Sequence, residues 1–413
     1  MDNGAPAAIW EAMDTDILIA GGGLTGASLA IALARAGLRV TLVDAQPADS
    51  QRARDFDGRA YALALTSVRM LRRLGVWDAV APDAQPMRDI KVTDGRAGEG
   101  ASPWMMHFDH AEIEEGPMGW MVEDRHLRPA LLDGLAAEGI THLPGRSVVA
   151  QDTDAARAHV TLDDGTEIAA ALLVGCDGRG SGTAKRAGIG RTGWDYGQHG
   201  VVCAVAHERP HEGVAHQFFM PGGPLAILPL TQNRSSIVWS ERSGRATALM
   251  EMDDADFLAA LRPAFGSFLG DIRLEGRRHA YPLGLTLTHA LIARRVALVG
   301  DAAHGIHPIA GQGLNAGLRD VAALAQVLDE ARRRGQDTGS DTVLEEYQQW
   351  RRFDVVKLAL ATDAFNRLFS NDNPLLRGVR DLGMGIVNAL PRVRRGFIRE
   401  AAGLNSALPD LMR

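Results

Sequence analysis

The stretch Thr15-Asp16-Ile17-Leu18-Ile19-Ala20-Gly21-Gly22-Gly23-Leu24-Thr25-Gly26-Ala27-Ser28-Leu29-Ala30 decides the fold. Thr15 to Ala20 is a short apolar run ending at glycine, which suits a central parallel strand. Leu24 to Ala36 is rich in Ala and Leu, a good helix, and Gly37 stops it. Arg39 to Val43 supplies a second strand, closing a βαβ unit of about thirty residues. Ile17 to Ala34 is nearly free of polar side chains and reaches a length that raises the question of a membrane span. Three consecutive glycines in mid-run suit strand, turn and helix better than one continuous helix.

Within this unit Gly21-x-Gly23-x-x-Gly26 has the spacing of a dinucleotide fingerprint. The first glycine permits a tight turn, the second lets a pyrophosphate approach the backbone, and the third lets helix and strand pack closely. The N–H groups and positive dipole at the helix start then favour phosphate. Asp44 ends the second strand, at the spacing where an acid takes ribose hydroxyls. Gly311-Gln312-Gly313-Leu314-Asn315-Ala316 also fits the loose glycine pattern, but only the N-terminal copy has the strand, helix and following acid. A NAD-only dehydrogenase satisfies these features equally well.

Composition sets wide bounds. The chain has 413 residues, 46% hydrophobic and 23% charged, as in ordinary globular proteins with more than one domain. Two cysteines, Cys176 and Cys203, give no disulfide framework and fit a reducing compartment. Met1 to Asp14 lacks the basic region of a signal peptide. The net charge of −7 argues against nucleic acid as a partner. From Trp350 onward eleven Arg/Lys face six Asp/Glu, which marks either a solvated helical tail or a face for an anionic membrane.

Further along, Ser67 to Val80 reads as an amphipathic helix and Arg128 to Glu138 as another, ended by Gly139. Ala158–Leu162 and Glu167–Leu173 flank Asp163-Asp164-Gly165, a hairpin turn. Short β-like runs follow at Val201–Val205, His216–Met220, Leu225–Leu230, Ser235–Trp239 and Arg277–Tyr281, with one helix at Asp254–Ala264. They indicate an antiparallel sheet inserted into the α/β fold. Arg295 to Val299 returns to a buried parallel strand, a glycine-rich loop follows, and Leu314 to Arg334 is helical. Thr342-Val343-Leu344-Glu345 is a capping box that places a long helix start there.

Two later motifs narrow the chemistry. Val299-Gly300-Asp301-Ala302-Ala303-His304 follows a strand, so Asp301 sits at its carboxyl end, where it can bond a polyol such as a ribityl chain or cap the next turn. Pro308-Ile309-Ala310-Gly311-Gln312-Gly313-Leu314-Asn315-Ala316-Gly317 leads bare N–H groups into a helix, suited to negative charge on a reduced flavin ring. His304 and His307 are three apart, but without an HExxH pattern or a nearby cysteine pair they read as loop histidines, and no metal is expected.

Together Gly21–Gly26, Gly175-Cys176-Asp177-Gly178 and Gly300-Asp301-Ala302-Ala303-His304 resemble the three motifs of class A flavoprotein monooxygenases, the para-hydroxybenzoate hydroxylase fold. His307 to Asp320 resembles the signature of the ubiquinone-biosynthesis hydroxylases, as do Arg59-Ala60-Tyr61-Ala62-Leu63, Leu74-Gly75-Val76-Trp77-Asp78 and Val122-Glu123-Asp124-Arg125-His126-Leu127. The resemblance implies a Rossmann-like FAD-binding domain (14–80, 116–195 and 284–340), a substrate domain (81–115 and 196–283) and C-terminal helices (341–413). By position, Gly21, Gly23 and Gly26, with Leu24 and Thr25 between them, and Asp44 would hold the ADP half of FAD. Arg125 would reach the ribose–phosphate region, with Arg59 in a resembling stretch, and Asp301 the ribityl chain. Pro308 would border the ring, and the backbone of Gly311, Gln312, Gly313, Leu314 and Asn315 would contact it. Asp177 and Gly178 would line a groove shared with NAD(P)H.

The family usually carries a Val-Arg pair where this chain has Thr183-Ala184, followed by Lys185-Arg186. Either the basic residue has shifted or the nicotinamide is handled differently. The activity implied is hydroxylation of a prenylated phenol or quinone precursor with NAD(P)H and O2, through a C4a-hydroperoxyflavin. The setting is cytoplasmic or peripheral on the inner membrane face, alone or in a quinone-biosynthesis complex. A hydroxylase of a small soluble aromatic and a non-catalytic flavin-binding subunit are the competing readings.

Overall fold

The computed structural model of the chain describes residues 13–52, 55–96, 100–306, 311–369, 390–405 and 407–413. The opening segment folds as its pattern dictates. Met13–Ala20 is a strand, Leu24–Arg35 a helix and Val40–Asp44 a strand. Gly37, at φ 81°, turns the chain after the helix, and its N–H donates to the carbonyl of Ala34. Ile17, Leu18 and Ile19 have no solvent exposure, and each buried aliphatic side chain of this kind contributes about 1.5–3 kcal/mol.

These strands belong to an eight-stranded sheet. Its main path runs Ile292–Ala293, Val296–Leu298, Glu167–Gly175, Met13–Ala20, Val40–Asp44, Thr141–Pro144. The last five of these are parallel neighbours. Register matters here: Ala20 is level with Gly175 and with Val43, and Gly175 is level with Leu298. The loops after these strands therefore leave the carboxyl edge side by side, where doubly wound sheets bind ligands.

A second eight-stranded sheet runs His304–Gly305, Ile272–Thr288, Arg191–His207, Arg234–Arg242, Gly223–Leu230, Val214–Met220, Asp89–Arg96, Gly100–Asp109. It is antiparallel except where Val214–Met220 runs parallel to Asp89–Arg96, so the expected antiparallel sheet is mixed at this edge. Strand alternation gives it two faces. Val201, Cys203, Ile237 and Leu225 pack under the helix Asp254–Phe265. Ala204, Ala215 and Leu228 on the other face pack toward Ala60 and Ala62. Those alanines lie on Ala60–Ala64, in a small third sheet with Gly119–Glu123 and Gln85–Met87.

Three local expectations change. The helix expected over 67–80 is two pieces, Leu65–Arg73 and Trp77–Val80, because Gly75 adopts φ 67° between them. The second helix extends from Asp124 to Ala137 and carries Pro129 as its sixth residue, where it removes one i→i−4 hydrogen bond from the helix. The long helix begins at Asp341, so Thr342 lies inside its first turn instead of capping it, and the helix runs to Phe369. Helix Ser243–Glu251 had no clear periodic signal and was not anticipated.

Candidate active site

The three motif loops meet at the carboxyl edge of the first sheet. Gly21 (φ 104°) donates its N–H to Val43 at 2.8 Å, and a Cβ on it would lie 2.4 Å from the Cys176 carbonyl oxygen. A Cβ on Gly22 would meet Asp44 Oδ2 at 2.5 Å, and one on Gly26 would meet the Gly21 carbonyl oxygen at 1.9 Å. Gly23 differs: nothing lies within 4 Å of its Cβ direction. The fingerprint is thus closed against protein on three glycines and open on the fourth, as a phosphate cradle requires. Gly23 caps the helix without a side-chain bond, and no acid occupies the first turn. Leu24 is buried, and Thr25 packs against Gly300 and Gly317, joining the fingerprint to the last two motifs.

Asp44 is 8% exposed, and its Oδ1 accepts the Gln46 N–H at 2.8 Å. Asp177 uses Oδ2 to accept both the N–H and the hydroxyl of Thr183, each at 2.9 Å. Its Oδ1 is buried and has no protein partner among the described residues. Gly178 (φ 77°) beside it faces open space. The departure at 183–184 now has a local account: Thr183 replaces an apolar residue with a donor to Asp177, while Ala184 is fully buried. Lys185 is exposed, and Arg186 bonds Gln151.

Asp301 is half-exposed and accepts from Arg179 Nε at 3.1 Å. Behind it, His304 Nε2 lies 2.6 Å from Asp320 Oδ2, with both side chains fully buried. Asp320 also accepts the Gly300 N–H at 3.0 Å and Arg351 Nε at 2.7 Å. Burial opposes ionisation of Asp320, but the His304 and Arg351 charges and their hydrogen bonds outweigh it and hold the carboxyl down to about 2. His304 is thereby engaged as a loop brace. His307 and Pro308 lie outside the described residues.

The signature helix, Gln312–Arg333, is entered through Gly311 at φ 65°. A Cβ there would sit 2.9 Å from Ala62 Cβ, whereas Gly313 faces open space. Asn315 is fully committed. Its Oδ1 accepts from Ala64 N–H and Ser67 Oγ, and its Nδ2 donates to the carbonyls of Ala62 and Gly311, all at 2.8–2.9 Å. The Asn315 side chain therefore offers no group to a cofactor.

Arg59 and Arg125 lie at neighbouring strand ends, since Ala60 pairs with Glu123. Arg59 is bonded to Asp57 at 2.7 Å and to Asp124 at 3.3 Å. Arg125 bonds Glu123 at 2.7 Å and lies over the Phe56 ring. Buried Glu123 is shared with Arg234, also at 2.7 Å. The sequence reading missed Arg351, Arg179 and Arg234. The acids they reach, Asp320, Asp301 and Glu123, are distant in the chain, so no local pattern marks these pairs.

The open Gly23 and Gly313, the orphan Asp177 oxygen and the level loop ends fit an extended dinucleotide with a polar ring at its far end. Known proteins agree. The FAD binding domain family matches residues 14–361. The chain is 44% identical over 402 residues to ubiquinone hydroxylase UbiL of Rhodospirillum rubrum, spanning 96% of this chain and 92% of that one. It is 37% identical to the 3-demethoxyubiquinol 3-hydroxylase of Escherichia coli over 94% of this chain and 99% of that one. The fold matches p-nitrophenol 4-monooxygenase PnpA of Pseudomonas putida at a TM-score of 0.78 and 20% identity, over 95% and 99% of the two chains. With its motifs converging at one sheet edge and relatives matched nearly end to end, the chain belongs to the FAD-dependent monooxygenases of the ubiquinone-biosynthesis hydroxylase family.

Proposed function

We propose that the chain hydroxylates the ring of a prenylated phenol or quinone precursor, with NAD(P)H as electron donor and O2 as oxidant. When bound, FAD supplies the oxygen activation that such a ring needs. The protein's part is to bind, orient and exclude water. Gly21, Gly23, Gly26 and Asp44 would hold the ADP half, Arg125 and Arg59 the ribose–phosphate region and Asp301 the ribityl chain. The Gln312–Leu314 amides would stand at the ring, with Asp177 and Gly178 at the nicotinamide groove.

The observation that carries the substrate class is an apolar tract. The sheet face at Ala204, Ala215 and Leu228 meets Ala60 and Ala62, beside Gly311. It continues through Ile90, Val92, Phe219 and Met106 to Phe108. Phe108 reaches the ring of Phe397 at 6.3 Å, at the surface. A small soluble aromatic has no need of such a path; an isoprenoid tail does. Near its outer end stand exposed Val393 and Phe397, with Arg392 and Arg395 exposed alongside. The neighbouring helix exposes Phe353 (74%) and Leu360 (60%), and Lys357 reaches Glu400 across at 3.7 Å. Apolar and basic side chains together suit an anionic membrane surface, and no described helix is long and apolar enough to cross one.

Expression in a host lacking its quinone hydroxylase, followed by product analysis, tests the activity. The expected result is restored quinone with an oxygen inserted in the ring. A purified protein that takes up no FAD overturns the flavin reading as a whole; one that binds FAD but shows no phenol-stimulated NAD(P)H oxidation overturns the hydroxylase and leaves the non-catalytic flavin-binding subunit. Vesicle sedimentation of the Phe353→Ser/Leu360→Ser variant tests the membrane face: reduced binding to anionic vesicles supports it, and unchanged binding removes it.

A further inference from the structure

The chain has Ala184 where the resembling family carries a basic residue, and elsewhere in the structure a guanidinium, that of Arg191, bridges the second and third motif loops. Arg191 opens the long strand Arg191–His207, and its main chain pairs with Thr288. Its side chain turns back to the site. Nη1 donates to the carbonyl of Arg179, and Nη2 donates to the carbonyl of Ala302 at 2.6 Å. Arg179 directly follows Asp177-Gly178, and Ala302 directly follows Asp301. One planar fork thus spans the second and third motif loops.

The link is reciprocal. Arg179 sends its own Nε to Asp301 Oδ2 and Nη1 to the Pro282 carbonyl. Thr288, opposite Arg191, accepts nothing from the fork but donates both its N–H and its hydroxyl to Ala303, the next residue of the Asp301 loop. The Asp301 loop is therefore held at Ala302 by Arg191 and at Ala303 by Thr288. Two main-chain carbonyls at a fixed separation are a geometry that a guanidinium matches and a single ammonium does not.

We propose that Arg191 is a positioning residue that sets the spacing of the Asp177–Gly178 and Asp301 loops. It touches no reacting atom. It acts by holding Asp301 and Asp177 at the separation one extended dinucleotide requires. The inference rests on the flavin reading above, and Arg186, engaged with Gln151, is the control basic residue.

The test measures FAD affinity of apoprotein by fluorescence quenching, alongside thermal unfolding of the apoprotein, for wild type, Arg191→Ala, Arg191→Lys and Arg186→Ala. Wild type that binds no FAD refutes the flavin reading itself, before the variants bear on Arg191. Given wild-type binding, Arg191→Ala is expected to raise the FAD dissociation constant about tenfold or more, as for lost hydrogen bonds from a charged donor. Arg186→Ala is expected to leave it unchanged. An unchanged constant in Arg191→Ala, or an equal loss in Arg186→Ala, overturns the proposal. If Arg191→Ala also lowers the apoprotein melting temperature, Arg191→Lys decides. Melting restored without affinity supports the fork. Restoration of both, or of neither, assigns Arg191 to general stability and overturns it.

Discussion

Asn315 donates its side-chain amide to the Ala62 carbonyl at 2.8 Å, binding the first turn of the signature helix to a strand 253 positions earlier in the chain. The same side chain accepts the Ala64 N–H, so the amide orientation is fixed by its neighbours, a donor on one side and a carbonyl on the other. The pair sets the entrance to the helix, since Gly311 packs directly on Ala62. Asn315→Ala leaves four polar groups without this partner, and the expected loss is about 2–4 kcal/mol in urea unfolding of the apoprotein. Asn315→Asp should be worse at pH 7, because a carboxylate oxygen then faces two carbonyls. Stability within about 0.5 kcal/mol of wild type for Asn315→Ala would show that the brace is idle.

The fingerprint glycines should separate binding from folding. Gly23 has φ −63° and free space around its Cβ direction, so Gly23→Ala should fold with near wild-type apoprotein stability. Its methyl group then stands where the pyrophosphate must approach, and FAD retention should fall by at least about tenfold. Gly26→Ala places a Cβ 1.9 Å from the Gly21 carbonyl oxygen. It should cost more than about 3 kcal/mol or prevent folding altogether. Flavin content after purification and apoprotein melting, measured on both variants, check this. A Gly23→Ala protein that keeps its flavin contradicts the assignment.

Much of this fold is legible from residue order because local rules govern it. Alternation, glycine at positive φ and the strand–glycine–helix sequence predict the first βαβ unit and the hairpin at 163–165 to within a residue or two. The turns at Gly21, Gly178 and Gly311 are legible too, because glycine spacing reports backbone geometry directly. What residue order hides is partnership. Nothing near Arg351 announces Asp320, and nothing near Arg234 announces Glu123, because those contacts form only when distant elements pack. The strands Asp89–Arg96 and Gly100–Asp109 escape notice for a related reason: the first offers only Ile90 and Val92 as alternating apolar positions, and its partner Val214–Met220 is distant in the chain.

The buried Asp320 predicts a specific acid response. Its folded pKa is held at about 2, below the ordinary carboxylate value, so its contribution to stability is complete above about pH 4. It is lost as pH falls from there through about 2, because the unfolded state takes up a proton first. Asp320→Asn keeps the shape but leaves His304 and Arg351 buried without their anion. Removing one partner of such a group costs about 3–5 kcal/mol at pH 7. Urea titrations should show that gap narrowing only below about pH 4. A constant gap across the whole range would place the ion pair outside the stability of this loop.

His216 predicts a proton linkage of the same sign, at higher pH, in the other sheet. Burial, then the charge of Lys91, lowers its pKa to about 4, and its ring lies 4.6 Å from Phe268 and 5.8 Å from Phe218. The folded protein thus keeps His216 neutral at pH values where the unfolded chain protonates it. Its unfolded value is about 6.5, so stability is full above that pH and declines as pH falls toward about 4. His216→Phe should remove this part of the acid loss, roughly 2–3 kcal/mol by pH 4. His207 and His142 are shifted in the same direction, so both proteins retain a slope. The informative quantity is therefore the difference between variant and wild type, which should grow steadily from pH 6.5 to about 4 and then level off. A difference that does not change with pH would mean that the ring is protonated as readily in the folded sheet as in the open chain.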